Sequence, residues 1–258
     1  RTRVDLFPTR ALPTSRSTGI PIASNACAIG FPCRTCRVQT RISKRVRSNF
    51  SANPLLKLLL AVYALVWIIT AIHPLYFTDW ILENVLVAAF LPLLFLTYKK
   101  YPFSDVSYIV ITCFMILHAV GAHYTYAEVP LGFWLRDAMH LGRNHFDRIV
   151  HFSFGLFMAY PIRELFLRFV NARGFWAFYF PLDVTLAFSA LYEIIEMVVA
   201  KTVSSEAGDA YLGTQGDPFD AVMDMTMAFC GAIICMIVTA ILRKIFHKGP
   251  DLLAGENA

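Results

Sequence analysis

Six long apolar stretches, at about 54–73, 80–98, 106–124, 149–169, 175–200 and 219–246, are separated by polar connections in this chain. Most reach the roughly 20 residues that a helix rising about 1.5 Å per residue needs to cross about 30 Å of hydrocarbon. A bilayer offers backbone N–H and C=O groups no water, so a segment inside it must satisfy them internally. The runs also lack the two-residue alternation of a barrel strand. We therefore expect an all-α fold, a polytopic transmembrane helical bundle of about six spans. Hydrophobic residues at 57% against 16% charged leave too little polar surface to wrap a soluble domain of 258 residues.

Residues 1–50 have a different character. They hold one acid, Asp5, among many arginines, with scattered Pro, Ser and Thr and no apolar period. Such a segment cannot bury enough apolar surface to order itself, and the chain opens on Arg1 rather than Met. We read it as a basic leader, disordered or non-native, ahead of a six-span membrane domain over 51–248 and a short tail over 249–258. Cys27, Cys33 and Cys36 include a CxxC, without the second pair or the spaced histidines of a zinc module. Cys113, Cys230 and Cys235 fall inside spans and read as small apolar packing residues.

Lysine and arginine set the expected orientation. Of the 23, 19 lie on one alternate set of connections and 4 on the other, which by the positive-inside rule places both termini in the cytoplasm. Without residues 1–40 the bias persists through Arg41, Lys44, Arg45, Arg47 and Lys57. The net charge of +5 then gathers at the cytoplasmic edge, where it meets anionic lipid and gives no reason to expect nucleic acid. Trp67, Trp80, Trp134 and Trp176 sit near span ends as interfacial anchors.

Histidines and carboxylates converge on the outer end. The third span closes with HAVGAHYTY, holding His118, His123, Tyr124 and Tyr126, and the fourth opens with RNHFDRIVHF, where Asp147 and His151 are four apart on one helical face. The fifth closes with YEIIE, where Tyr192 precedes Glu193 and Glu196, and the sixth opens with an acidic stripe of Asp217, Asp220 and Asp224. An ionised side chain in hydrocarbon costs about 2.5–3.5 kcal/mol even on lenient scales, so these groups face inward and find partners. A shared polar pocket open to the outside is the economical arrangement.

Some of these acids have simpler roles. Asp217 precedes Pro218 at a helix start and suits a cap; Asn144 and Asp147 show similar spacing, and a first-turn acid is favoured by the helix dipole. Asp224 has no capping role, nor have Glu193 and Glu196 near a helix C-terminus. Gly213 and Gly216 suit a tight turn carrying Gln215 and Asp217 over the pocket mouth. Asp183 is expected to pair with Arg163, Arg168 or Arg173, and Glu83 and Asn84 to line the same pocket or meet water. His73 and His247 look interfacial, and His140 lies in an outer loop.

The strings HAVGAHYTY, RNHFDRIVHF, YEIIE and YLGTQGDPFDAVMDM resemble the YjdF-type family of bacterial inner-membrane proteins, over about residues 54–248. The leader has no counterpart in that pattern, and Met197 stands where an aromatic often follows the second glutamate. The resemblance implies a multi-span protein of the bacterial cytoplasmic membrane with no established activity, so a reaction must be argued from the residues.

Imidazole and carboxylate without thiolate suit one divalent ion such as zinc, manganese or iron. The leading expectation is an outward-facing metal-dependent hydrolase of lipid or envelope precursors. His118, His151 and two of Glu193, Glu196 and Asp224 would hold the ion, and the remaining acid would act as general base. His123, Tyr124, His145, Asp147, Arg148, Tyr192, Gln215, Asp217 and Asp220 would support the site or touch substrate, and Arg136, Arg143 and Arg148 would clamp an anionic headgroup. Two alternatives use the same acids: a proton- or cation-coupled transporter, and a non-catalytic lipid-binding or assembly factor, with hydrogen bonds that only hold the bundle together.

Overall fold

The computed structural model describes residues 53–98, 100–202, 208 and 211–246. The leader, the CxxC, His247 and the tail lie outside the described residues. Seven helices follow one another among the described residues: α1 (Pro54–Ala71), α2 (Phe77–Tyr98), α3 (Asp105–His123), α4 (Pro130–Met139), α5 (Phe146–Phe169), α6 (Trp176–Thr202) and α7 (Asp220–Phe246). No strand occurs among them. The architecture is a helical membrane bundle.

By length and composition α1, α2, α3 and α7 can cross a bilayer. At 24 and 27 residues, α5 and α6 are as long but more polar. For α5 the reason is its position. It packs against α3, α6 and α7 and buries eleven of its residues, so protein rather than lipid surrounds it and its composition is free to be polar. Each of its charges has company: Arg163 lies 4.5 Å from the centre of the Phe178 ring, and Glu164 pairs with Arg168. Peripheral α1 and α2 bury only two and three residues, which is why they read as nearly uniform apolar runs.

The closest packing is between α5 and α7. A Cβ added at Gly155 would collide with the Ala228 carbonyl, and one added at Gly231 with the Phe152 carbonyl, so each glycine admits the opposing backbone. Ala159, Ala228 and Ala232, all fully buried, continue this small-residue seam. Such seams let helices approach closely where lipid supplies no hydrophobic drive between them. Tyr63, Val87, Ile111, Met115 and Met158 form the core that joins α1, α2, α3 and α5.

Away from the polar end, Glu164 closes the bundle. The Ser104 backbone N–H donates to it at 2.9 Å and the Ser107 hydroxyl at 2.5 Å, while Ser104 Oγ caps α3 by accepting from the Ser107 N–H at 3.3 Å. Of the arginines suggested for Asp183, Arg168 goes to this carboxylate instead. Because Glu164 is only 5% exposed, Glu164→Ala strands several donors at once. The expected loss is about 2–3 kcal/mol, read as a lower thermal midpoint of the detergent-solubilised protein.

A helix lies where the sequence suggested only a loop. Pro130 starts α4 in its first turn, and His140, in the left-handed region at φ 54°, stops it after ten residues. At about 1.5 Å per residue it is too short to span.

Candidate functional site

The C-terminal half of α6, the starts of α5 and α7, and the turn before α7 enclose a cavity of about 650 Å³. Its lining includes six carboxylates, Asp147, Glu193, Glu196, Asp217, Asp220 and Asp224, and among the described lining residues none is Lys, Arg or His. Helical spacing assembles it. Asp220 and Asp224 are one turn apart on the face of α7 that continues into Ala228 and Gly231 against α5, so that seam turns both acids inward.

Asp147, His151 and Asp224 each offer one ligand atom, and these atoms all lie within 4.8 Å of one another. An ion bound at about 2.0–2.2 Å would draw these atoms closer together. The His151 Nε2 atom is 3.7 Å from Asp147 Oδ1 and 3.3 Å from Glu193 Oε1. Its Nδ1 lies 3.3 Å from Ser189 Oγ, so the hydroxyl orients the ring and leaves Nε2 toward the carboxylates. Asp224 is 2% exposed, and its Oδ1 has no hydrogen-bond partner. A buried carboxylate oxygen without a donor is costly unless a cation or a proton neutralises the group.

Two arginines brace the cavity from behind. Arg143 Nη1 is 2.5 Å from Asp220 Oδ1 and 3.6 Å from Asp217 Oδ2, while Arg148 pairs with Asp217 and stands 3.5 Å from Asp220. Arg143 also donates to the Thr214 carbonyl at 2.9 Å. Gln215 and Asn144 exchange two hydrogen bonds: the Asn144 N–H donates to Gln215 Oε1 at 3.0 Å, and Gln215 Nε2 donates to the Asn144 carbonyl at 2.9 Å. Gly213 and Gly216, at φ 57° and 84°, make the turn that the sequence predicted, and it bonds the α7 approach to the start of α5.

Residues 55–245 match the family described as predicted membrane protein (DUF2238). The chain belongs to that family. It is also 39% identical over 163 residues to a protein called inner membrane protein YjdF from Escherichia coli (strain K12), a match covering 62% of this chain and 77% of that protein. No solved structure matches it. The DUF2238 chain is thus an integral membrane protein homologous to an inner-membrane protein, as the sequence resemblance implied.

Within this DUF2238 fold the candidate residues fall into two groups. Glu193, Glu196, Asp224 and Asp147 line the cavity, and His151 meets them. His118 belongs elsewhere. Its Nδ1 shares a 2.7 Å hydrogen bond with the Tyr126 hydroxyl, which also lies 3.4 Å from Glu83, while Tyr192 donates to Glu83 at 2.7 Å. Glu83, 3% exposed, neither lines the cavity nor meets water, the two roles the sequence suggested for it. Asn84 accepts from the Trp67 indole at 2.6 Å.

His123 holds the Thr70 carbonyl at 2.8 Å and Tyr124 stacks edge-on against it, so neither lines the cavity. His145 begins α5 beside Arg148, and burial followed by the Arg148 and Arg143 charges holds its imidazole below its ordinary value. The expected headgroup clamp changes most: Arg143 and Arg148 are engaged by carboxylates, and Arg136 pairs with Asp137. Asn144 accepts from the Phe146 N–H at 3.0 Å in a turn just before α5, whereas the cap position its spacing suggested is taken by His145, which makes no side-chain cap bond. Ser189 escaped sequence reasoning, since a lone serine in a spanning helix carries no signal. Glu83 had one: with Asp79 it forms an acidic pair four apart in an apolar helix.

Asp217 caps the approach to α7 by accepting from the Phe219 N–H at 2.9 Å. That bond first, then Arg148 and Arg143, holds its carboxyl below the usual carboxylate range. A depressed folded value means that its contribution to stability is complete above the unfolded value of about 4 and disappears as pH falls through the lower, folded one. The thermal midpoint of wild type should therefore exceed that of Asp217→Asn at neutral pH, with the gap closing as pH drops below about 4. A gap that widens on acidification would contradict this assignment.

Proposed function

We propose that the cavity is the divalent-metal centre of a membrane hydrolase acting on lipid or envelope precursors at the outer face. Asp147, His151 and Asp224 hold the ion, and Glu193, close to His151 Nε2, acts as general base on water at that centre. The metal supplies Lewis acidity and lowers the pKa of its water toward neutrality. The observation that carries this reading is the Asp147, His151 and Asp224 constellation, with a buried, unpartnered oxygen on Asp224. Histidine and aspartate without cysteine favour zinc, manganese or iron. We assign no ligand role to His118, which stands outside the Asp147, His151 and Asp224 group.

Orientation is part of the proposal. The lysine and arginine bias supports cytoplasmic termini and a cavity on the outer side. A compartment reporter fused after Gly208 should signal from the outer side; a cytoplasmic signal reverses the assignment. Elemental analysis of the purified, detergent-solubilised protein tests the centre itself. About one equivalent of a transition metal per chain is expected for a three-ligand site with an open position. Metal-free preparations that refuse added zinc, manganese and iron, yet carry solute across liposomes in exchange for protons, would replace this reading with the transporter.

A further inference from the structure

The walls of the cavity differ from its floor. Ala190, Ile194 and Met197 on α6, Ala221 and Met225 on α7, and Leu212 line it together. Ile194 and Met197 are also 53% and 43% exposed on the bundle surface, and Ala221 is exposed too. Apolar side chains that both line a cavity and reach the surface of membrane helices make a flank facing lipid. The floor is acidic, and the buried Asp224 oxygen without a partner is part of it.

Charge decides which lipid fits. Six lining carboxylates face two arginines, Arg143 and Arg148, that are already paired with Asp217 and Asp220. A divalent ion offsets two more charges, and a formal surplus of negative charge still remains. An anionic head would add to that surplus, whereas a zwitterionic head adds no net charge and can set its ammonium group among the carboxylates. We infer that the cavity admits a bilayer lipid sideways between α6 and α7, and that the preferred head bears an ammonium group, as phosphatidylethanolamine does, over a purely anionic head such as phosphatidylglycerol.

This inference rests on the metal-centre reading for what becomes of the lipid, and its charge preference is strongest in the metal-free protein. The test uses the full chain in nanodiscs, with trace phosphatidylethanolamine or phosphatidylglycerol carrying a photoactivatable group in the acyl chain. Peptides containing Ile194, Met197 and Met225 should be labelled on the order of fivefold more by the ethanolamine lipid, the size of a partly exposed charge contact. Ala221→Trp narrows the flank without removing a carboxylate and should reduce labelling there to the level found on α1.

Equal labelling by the two lipids overturns the inference. So does undiminished labelling in an Ala221→Trp protein that still binds Mn²⁺. Should that variant fail to fold, the comparison of the two lipids on the unaltered chain decides alone. Mn²⁺ binding measured on the same samples separates the two readings. Selective labelling without metal binding removes the metal centre and keeps the lipid site, and metal binding with unselective labelling does the reverse.

Discussion

Asp224→Asn is expected to lower divalent-metal affinity by 100-fold or more, since losing a ligand exceeds the roughly 10–100-fold cost of losing a ligand's hydrogen-bonded support. The same change should leave the metal-free protein as stable as wild type or more so. Asp224 is 2% exposed, has an unpartnered Oδ1, and lines the cavity with Asp147, Glu193, Glu196 and Asp220. A neutral amide there relieves like-charge repulsion in a poorly solvated place. Titration calorimetry with Mn²⁺ or Zn²⁺ reads the first effect, and a thermal scan in chelator reads the second. A purely structural aspartate would show the opposite pair: unchanged metal binding and a lower midpoint. Both outcomes are accessible on the same preparation, so a folding defect cannot pass for a lost ligand.

Gly155→Leu should be among the most damaging substitutions in the bundle, costing about 3 kcal/mol or more. At Gly155 even a Cβ meets the Ala228 carbonyl and the Ala232 N–H from the facing helix, and backbone cannot swing aside as a side chain can. To fit, α5 and α7 must separate along the closest contact in the fold. Since α5 carries Asp147 and His151 and α7 carries Asp224, separation also opens the metal constellation. Fluorescence-detected size-exclusion chromatography after heating should show early loss of the monodisperse peak, and any protein that survives should bind metal weakly. Gly155→Ala is expected to do the same to a smaller degree. A Gly155→Leu protein with wild-type stability would mean that the two helices do not approach this closely.

Much of the architecture was legible because hydrocarbon imposes a coarse rule that composition reveals. The apolar lengths of α1, α2, α3 and α7 follow from it directly. For α5 the signal is weaker, since a helix surrounded by protein need not be apolar; its apolar run opens only near residue 149, whereas the helix begins at Phe146. Short α4 was missed because ten residues without a spanning run look like a connection. Within the site, the spacings of Asp147 with His151, Glu193 with Glu196, and Asp220 with Asp224 each define one helix face, and those pairs do lie together at the cavity. Grouping His118 with them does not follow from spacing: Tyr126 and Glu83 engage it in a buried cluster that adjoins the site through Tyr192, whose ring lies 5.8 Å from that of His151. Nor could spacing reveal that Arg143 and Arg148 turn to Asp217 and Asp220, leaving neither for a phosphate.

The sequence by itself determined that this chain is a bundle of membrane helices whose acids and histidines gather toward one end. The lack of water in hydrocarbon permits little else for runs of that length and polarity. Only the tertiary structure decided which polar groups share a cavity. Periodicity tells which residues lie on one face of a helix but not how that helix is rotated against its neighbours. Here the rotation of α5 against α7 is set by backbone contact at Gly155 and Gly231, which turns Asp224 toward Asp147 and His151.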